Sequence, residues 1–488
     1  MNQNEADLIQ IDGVDRVFNR RRILLVLLIP LAMTLMAISS LNVALSTIES
    51  ALHASDSDIQ WVLSGYALVY GITLIPSGRI GDLLGRGRLF LIGVAVFSTA
   101  SLFCAIAWSP AALIVARVSQ GIGSGMIGPQ ITGMITQYFS GQDRARAFAL
   151  FGVVVSASVA VGPMLTGIII AVAGDALGWR ASFGINVLAG LLAIWLGLRW
   201  FPFEMERQRR AARSAGELQN EKLDLDPFGA LLLVAGVLTL MLPFVLQRRP
   251  LYLLVVVGVL LIVLWVRWEK RYQLRGGEPM VDLAIFRYRS FSTQTILSSS
   301  QFFASTPTFA IMALFVQQTL GFSALEAALL TLPNAIVSGF FAKWSGRYAL
   351  QQGRTLLVVA FSLIAGSMIC NALLIQLSAP IWLVGVALGM MGAGQGMVGS
   401  ANQTIALAEL PSSVGGTAGG IKQTGERIGT AIGQAIITAV FFGVSSTSAH
   451  AGVVAAYGVS SAILLVVLLL AVYDRRVEGP GVPLSRQT

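Results

Sequence analysis

Fourteen stretches of this 488-residue chain are long and apolar enough to cross about 30 Å of hydrocarbon, and that repetition constrains the fold more than any single motif. They run at about 23–45, 59–78, 89–108, 111–138, 147–173, 181–201, 228–246, 251–268, 291–318, 324–345, 355–377, 381–408, 415–444 and 453–473. Backbone polar groups in lipid must be satisfied within each segment, so the predicted class is an all-α polytopic membrane protein. Hydrophobic residues make up 55% of the chain and charged residues only 12%, about half the fraction of a soluble domain, which excludes a soluble enzyme or binding module.

The net charge of +9 is a topology signal, not a nucleic-acid footprint, because 28 of the 33 Lys and Arg fall on one side of the alternating spans. The opposite side holds only Arg180, Arg248 and Arg249, while Arg117 and Arg427 lie inside spans. This bias predicts cytoplasmic N and C termini. Residues 1–22 form a polar leader ending in Asn19-Arg20-Arg21-Arg22, too long and too acidic for a cleaved signal, so the first run is expected to be a span. Cys104 and Cys370 each sit within an apolar run, which argues against a stabilising disulfide. The chain has no metal-ligand cluster, Walker loop or nucleophile elbow and only two histidines, His53 and His450, so neither an enzyme nor a metal or cofactor is expected.

Between the second and third runs, Gly78-Arg79-Ile80-Gly81-Asp82-Leu83-Leu84-Gly85-Arg86-Gly87-Arg88 sets one carboxylate among three guanidiniums, and its glycines allow a tight turn. It is read as a hinge or latch. At an offset of 268, Gly346-Arg347 and Gly353-Arg354 repeat Gly78, Arg79, Gly85 and Arg86, with Leu350 in place of Asp82. Span four carries Arg117-x-x-Gln120-Gly121-Ile-Gly123-Ser-Gly125, and Gly392-Ala-Gly394-Gln-Gly396 repeats its glycines at an offset of 271. Two matches at nearly one offset predict two homologous halves. Buried arginine costs about 2.5–3.5 kcal/mol on insertion scales, so Arg117 should face a polar cavity or partner.

Span five holds Gly162-Pro163, a kink between small residues four apart, which packing alone or a moving wall would explain equally well. Span thirteen holds Lys422 and Glu426 at i, i+4; Glu426 is the carboxylate placed within a span and away from a capping box. Ser46-x-x-Glu49, Ser55 or Asp56, and Ser323-x-x-Glu326 read as helix caps. The amides and aromatics Asn42, Tyr66, Tyr70, Gln120, Gln301, Asn334, Gln395 and Asn402 are candidates for lining a shared path, although amides in hydrocarbon also join helices to one another.

These motifs resemble those of the major facilitator superfamily, specifically its fourteen-span drug:proton antiporter branch, over nearly the whole chain. Gly78 to Arg88 is similar to the family's loop motif between spans two and three, Leu113 to Gly125 to its span-four arginine motif, and Gly162-Pro163-x2-Thr166-Gly167 to its antiporter motif. Asp226-x2-Gly229 and Phe183-x2-Asn186-Val187 resemble signatures of the branch. The resemblance implies two rocking six-helix bundles around a midplane cavity. Within it, Gly78, Asp82, Gly85, Arg86, Gly162 and Pro163 would gate or latch, and Arg117 would serve proton coupling. The chain departs from the branch at Ala37, where an acid is usual, at Ser46, at Ser158 and Thr166, and at Glu426, where a base is usual. Glu426 is therefore the expected substitute proton-coupling residue.

The expected organisation is a cytoplasmic segment 1–22, a first bundle 23–201, a cytoplasmic linker 202–227, two added spans 228–268, a loop 269–290, a second bundle 291–473 and a tail 474–488. The expected function is proton-coupled export of amphipathic small molecules such as drugs or antibiotics from the plasma (inner) membrane by a monomer. The proton gradient supplies the energy, and a net-neutral cavity receives the substrate. The alternatives are a dedicated metabolite or lipid exporter, an uptake permease, and a transport-silent sensor or scaffold.

Overall fold

The computed structural model describes residues 8–11, 14–214, 224–446 and 448–482. Two short antiparallel strands, β1 (Leu8–Ile11) and β2 (Val14–Asn19), stand ahead of the helices, with Leu8 opposite Asn19 and Ile9 opposite Phe18. The leader was expected to be merely polar. Its apolar residues Leu8, Ile9, Ile11, Val14, Val17 and Phe18 flank an Asp12-Gly13 pair, the short-range signature of a hairpin; residues 12–13 themselves lie outside the described ones.

Helices follow: α1 (Arg20–Ser39), α2 (Leu41–Leu52), α3 (Asp56–Leu84), α4 (Arg86–Ala105), α5 (Pro110–Tyr138), α6 (Gly141–Trp200) and α7 (Phe203–Ser214). After them come α8 (Pro227–Leu246), α9 (Leu253–Leu274), α10 (Arg289–Leu314), α11 (Ala324–Ser345), α12 (Ala349–Gln376), α13 (Ile381–Ala408), α14 (Gly415–Ser445) and α15 (Ala449–Glu478). Twelve helical segments among the described residues are long and apolar enough to cross a membrane. The fifth and sixth apolar runs are two helices that meet at a kink at Gly174 (φ 76°, ψ 166°), within the range given as α6. Helix α11, which carries Glu326, Asn334 and Lys343, stands outside the twelve. The first run, expected as one span, divides at Ser40 into α1 and α2.

Caps form where the sequence placed two of them. Ser55 and Asp58 make a reciprocal capping box at the start of α3, as do Ser323 and Glu326 at the start of α11. Ser46 and Glu49 lie inside α2, so that pair caps nothing.

Helices α1–α6 pack on one another, with α3 and α4 against α5 and with α1 and α4 against α6. Helices α10–α15 repeat the pattern, with α11 and α12 against α13. The duplicated glycines do the same work in each half. A Cβ at Gly121 would meet the Tyr66 carbonyl of α3 at 2.7 Å and one at Gly123 the Phe97 backbone of α4 at 2.6 Å; Gly392 and Gly394 meet Asn334 of α11 and Ala360 of α12 in the same way. Such contacts let helix backbones approach where lipid supplies no hydrophobic drive.

One apolar cluster lies mostly in the first half and reaches across the seam to Leu407, Ala418 and Ile421, and another lies mostly in the second half. The halves meet where α14 crosses α3 and α5 and where α6 crosses α11 and α13. Helices α8 and α9 pair with each other, and α8 lies along both α3 and α14, beside the seam. Helix α9 turns Leu253, Val256, Leu260 and Leu264 outward, each at least half exposed. A stripe of that size on a helix suits lipid, not water.

Candidate functional site

At one end of the seam, Asp82 on the last turn of α3 points across to the N-terminus of α14. Its Oδ1 accepts from the Gly416 amide (3.1 Å), and its Oδ2 accepts from the Thr417 amide and hydroxyl (2.8 Å each). A carboxylate there satisfies amides that lack intrahelical partners and complements the helix dipole. Arg86, at the start of α4, pairs with the same carboxylate at 2.6 Å and donates to the carbonyls of Ser412 (2.6 Å) and Ser413 (3.1 Å), just ahead of α14. Its remaining bonds go to Gly133 and Gln137 of α5. Asp82 and Arg86 are each only 6% exposed, so these charge-assisted bonds are shielded from water.

The glycines of the latch stretch are where two backbones touch. A Cβ at Gly78 would lie 2.5 Å from the Gly416 carbonyl oxygen and 2.9 Å from the Thr417 Cα. Gly85 has φ 114°, in the region that favours glycine, and Glu206 of α7 lies against it and accepts from the Gly87 amide at 2.7 Å.

The second half is built differently at the equivalent place. Leu350, where Asp82 would be, is buried among apolar side chains. Arg354, the counterpart of Arg86, turns inside its own half, to Asp474 of α15 (3.1 Å), the Gly481 carbonyl (2.5 Å) and the Ser290 hydroxyl (2.8 Å). The two halves also meet through Gln142, which donates to the carbonyls of Gly346 (3.0 Å) and Arg347 (2.9 Å), through Arg144 to the Leu407 carbonyl (3.4 Å), and through a 2.7 Å hydrogen bond between the Ser156 and Ser338 hydroxyls. Sequence reasoning missed Glu206, Asp474 and Arg144, and it gave Arg354 as the repeat of Arg86 without its partner. Glu206 and Asp474 are separated by the same 268 residues as the repeated loop, and that offset would have found them.

Farther along the seam lies a polar strip. Arg117 on α5 is 1% exposed; it donates to Gln120 Oε1 (2.5 Å) and the Val62 carbonyl (3.2 Å), and its guanidinium stands 4.3 Å over the Tyr66 ring. Gln120 continues to the Ser101 hydroxyl at 2.7 Å, and Tyr66 shares a 2.6 Å bond with Ser124. On α14, Lys422 pairs with Glu426 at 2.5 Å. Lys422 was counted with the inner-side cations, but it lies within the helix and is 5% exposed. Thr424 donates to the Gly71 carbonyl and Tyr70 to Gln423, joining α14 to α3 at mid-seam.

Of the other amides, Asn334 donates to the Leu388 carbonyl (3.0 Å) and to Gln395 (3.4 Å), and Asn402 donates to the Gln294 carbonyl and side chain (2.9 and 3.0 Å), so they tie helices within the second half. Gln301 is buried on α10. Asn42 is in α2, with its side chain outside the described ones.

Gly162, ahead of Pro163, packs against Met36, Ser39 and Ser40, so the glycine of the kink meets the break between α1 and α2. Beside that contact a small cleft is lined by Ala37, Ser40, Thr166, Ser182 and Asn186, among others. Ala37 and Thr166, two departures from the expected motifs, therefore face one space.

The added helices are tied to the latch stretch. Arg79 pairs with Glu278 at 3.0 Å, the Glu278 amide donates to Asp224, and Asp226 caps α8 through the Gly229 amide while accepting from the Trp268 indole. Burial opposes ionisation of Asp224, yet bonds from the Tyr272 hydroxyl and the amides of Asp226 and Glu278 hold its carboxyl below the ordinary value.

The chain is similar to several known proteins. A "Probable actinorhodin transporter" of Streptomyces coelicolor is 29% identical over 85% of this chain and 71% of its own length. The "Multidrug resistance protein Stp" of Mycobacterium tuberculosis is 27% identical over 86% of this chain and 76% of its own. The solved proton:xylose symporter XylE superposes with a TM-score of 0.67 at 15% identity, covering 96% of this chain and 98% of that one, and so shares the fold. The family model described as Major Facilitator Superfamily matches residues 27–434, and the chain belongs to that superfamily of multi-span membrane transporters.

Proposed function

We propose that the chain is a proton-coupled exporter of amphipathic small molecules, working by alternating access in the plasma (inner) membrane. The observation that carries this reading is the buried latch, in which Asp82 and Arg86 bind the start of α14 in the other half. The bonds between the halves described above lie at that end or at mid-seam, an arrangement suited to a state closed at one face. With the two arms of α6 counted separately and α11 included, the spans number fourteen, and the charge bias sets both termini and the latch in the cytoplasm. The state is then outward-facing. In this account Arg117 and Glu426 couple transport to protons, the Gly162-Pro163 kink lets α6 move, and the protein acts as a monomer without a cofactor.

The name of the Mycobacterium relative supports drug export. A second reading, export of one dedicated metabolite, draws on Ala37 in place of an acid and on the name of the Streptomyces relative. Everted vesicles from an efflux-deficient host, loaded from a chemical panel with and without an imposed pH gradient, test the proposal. Gradient-dependent accumulation supports it. Accumulation that ignores the gradient contradicts coupling, and none with any compound favours the silent scaffold.

A further inference from the structure

The charges in the polar strip do not balance. Between the latch and the far ends of the two halves, the seam holds Arg117 on α5 and Lys422, Glu426 and Arg427 on α14. Lys422 consumes the one carboxylate through its 2.5 Å pair with Glu426. None of the ion pairs among the described residues includes Arg117 or Arg427. The neighbouring helices supply no acid here either: α3 presents Tyr66, Tyr70 and Gly71, and α8 presents Met241. On α1, Ala37 stands where a carboxylate was expected. The strip expected to be net neutral therefore carries an excess of positive charge.

The two guanidiniums are arranged about aromatic rings. Arg117 lies 4.3 Å from the Tyr66 centroid and Arg427 lies 4.6 Å from that of Tyr70, while the two rings are 5.9 Å apart and tilted by 44°. Arg117 is almost wholly enclosed and bonded to neutral oxygens. Arg427 is only half-buried, so its guanidinium retains donors for an incoming group. Ring contact partly compensates a desolvated cation, but an anion compensates it better, and the planar fork of arginine matches a carboxylate or sulfonate in two parallel bonds. Tyr66 and Tyr70 are themselves buried, 1% and 7% exposed, so the guanidinium of Arg427 is what the strip offers to a ligand.

We propose that Arg427 receives the acidic group of an organic anion, so that the transporter selects anionic substrates over cationic drugs. This deepens the export reading and rests on it for the location of the substrate path. The alternative role for Arg427 is packing alone, against Gly71 and the Tyr70 ring at the contact of α3 with α14.

The test is equilibrium binding to the purified full-length protein, with no gradient, of two dyes with one xanthene skeleton: fluorescein, an anion, and rhodamine 123, a cation. Fluorescein is expected to bind at least tenfold more tightly. Arg427→Gln is expected to weaken fluorescein at least tenfold, Arg427→Lys to weaken it less, and Arg427→Glu to reverse the preference, with melting temperatures reported for each variant. Equal or tighter binding of rhodamine, binding of neither dye, or unchanged fluorescein affinity in a well-folded Arg427→Gln protein overturns the proposal. Uptake of both dyes into proteoliposomes is read separately. Anion-selective binding without gradient-driven uptake overturns the coupled-export reading and leaves the selectivity standing, whereas gradient-driven uptake that favours the cation overturns the selectivity alone.

Discussion

Asp82 on α3 and Thr417 on α14 are 335 residues apart in sequence and are joined by two 2.8 Å hydrogen bonds, from the Thr417 amide and hydroxyl to one carboxylate oxygen. With the Gly416 amide on the other oxygen, one side chain of the first half terminates a helix of the second. A negative charge at a helix N-terminus contributes about 0.3–2 kcal/mol, enough to bias an equilibrium between closed and open ends without locking it.

Replacing Asp82 by Asn removes that charge and turns an NH2 group toward donors. Transport by Asp82→Asn is expected to fall about tenfold or more at unchanged membrane expression, as about 1.4 kcal/mol of gate bias dictates. Substitution of Leu350, which has no charge to hold the other half, should alter the rate little. Initial efflux rates normalised to protein amount provide the comparison, and a wild-type rate in Asp82→Asn removes the latch role.

Closure of this end also needs the backbone contact between Gly78 and Gly416. In Gly78→Val the new side chain occupies the place of the Gly416 carbonyl, so the closed end should be wedged open. With Cys104 and Cys370 replaced by Ser, a cysteine at Gln423 should then react faster with a membrane-impermeant maleimide applied from the Asp82 side. No change in labelling would mean that the helices slide apart without opening a path.

Arg117 is held by neutral partners on α3 and α5, and its charge is expected to matter to coupling more than to folding. Arg117→Ala should abolish gradient-driven transport, and Arg117→Lys should restore only part of it, having no fork to bridge Gln120 and the Val62 carbonyl. Proton-linked exchange persisting in Arg117→Ala would make the residue structural.

Arg354 and Asp474 form an ion pair with both side chains about 98–99% enclosed, inside one half and away from the seam. Removing one member leaves a buried charge uncompensated, at about 3–5 kcal/mol. Arg354→Ala is therefore expected to lower the melting temperature in detergent by several degrees, with a smaller effect on the transport of the protein that survives. Arg354→Ala melting like the wild type would show that water reaches Asp474.

Legibility in the sequence followed the type of interaction. Asp82, Arg86 and Arg117 stood out because charge beside long apolar runs is costly and must have a partner. The partners of Asp82 were invisible: amides carry no sequence signature, and Gly416 and Thr417 look like any small residues. Gln120 and Asn402 show the opposite limit, since an amide that lines a path and one that ties two helices read alike until their acceptors are known. The halves were readable from two glycine stretches at nearly one offset. The kink of α6 at Gly174 depends on the backbone angles of one residue, which hydropathy does not record.

Proton coupling through the strip is the central claim, and Glu426 is where it is most exposed. The measurement is proton movement in proteoliposomes containing a pH-sensitive dye, with transport started by a substrate gradient in wild-type and Glu426→Gln proteins. Wild-type protein should move protons opposite to substrate, at a rate that depends on pH. Glu426→Gln should bind substrate normally yet move it without protons and without that pH dependence, because an amide imitates the protonated acid. Wild-type proton movement in Glu426→Gln, together with a lower melting temperature, would contradict the account and leave the Lys422 pair as a helix staple.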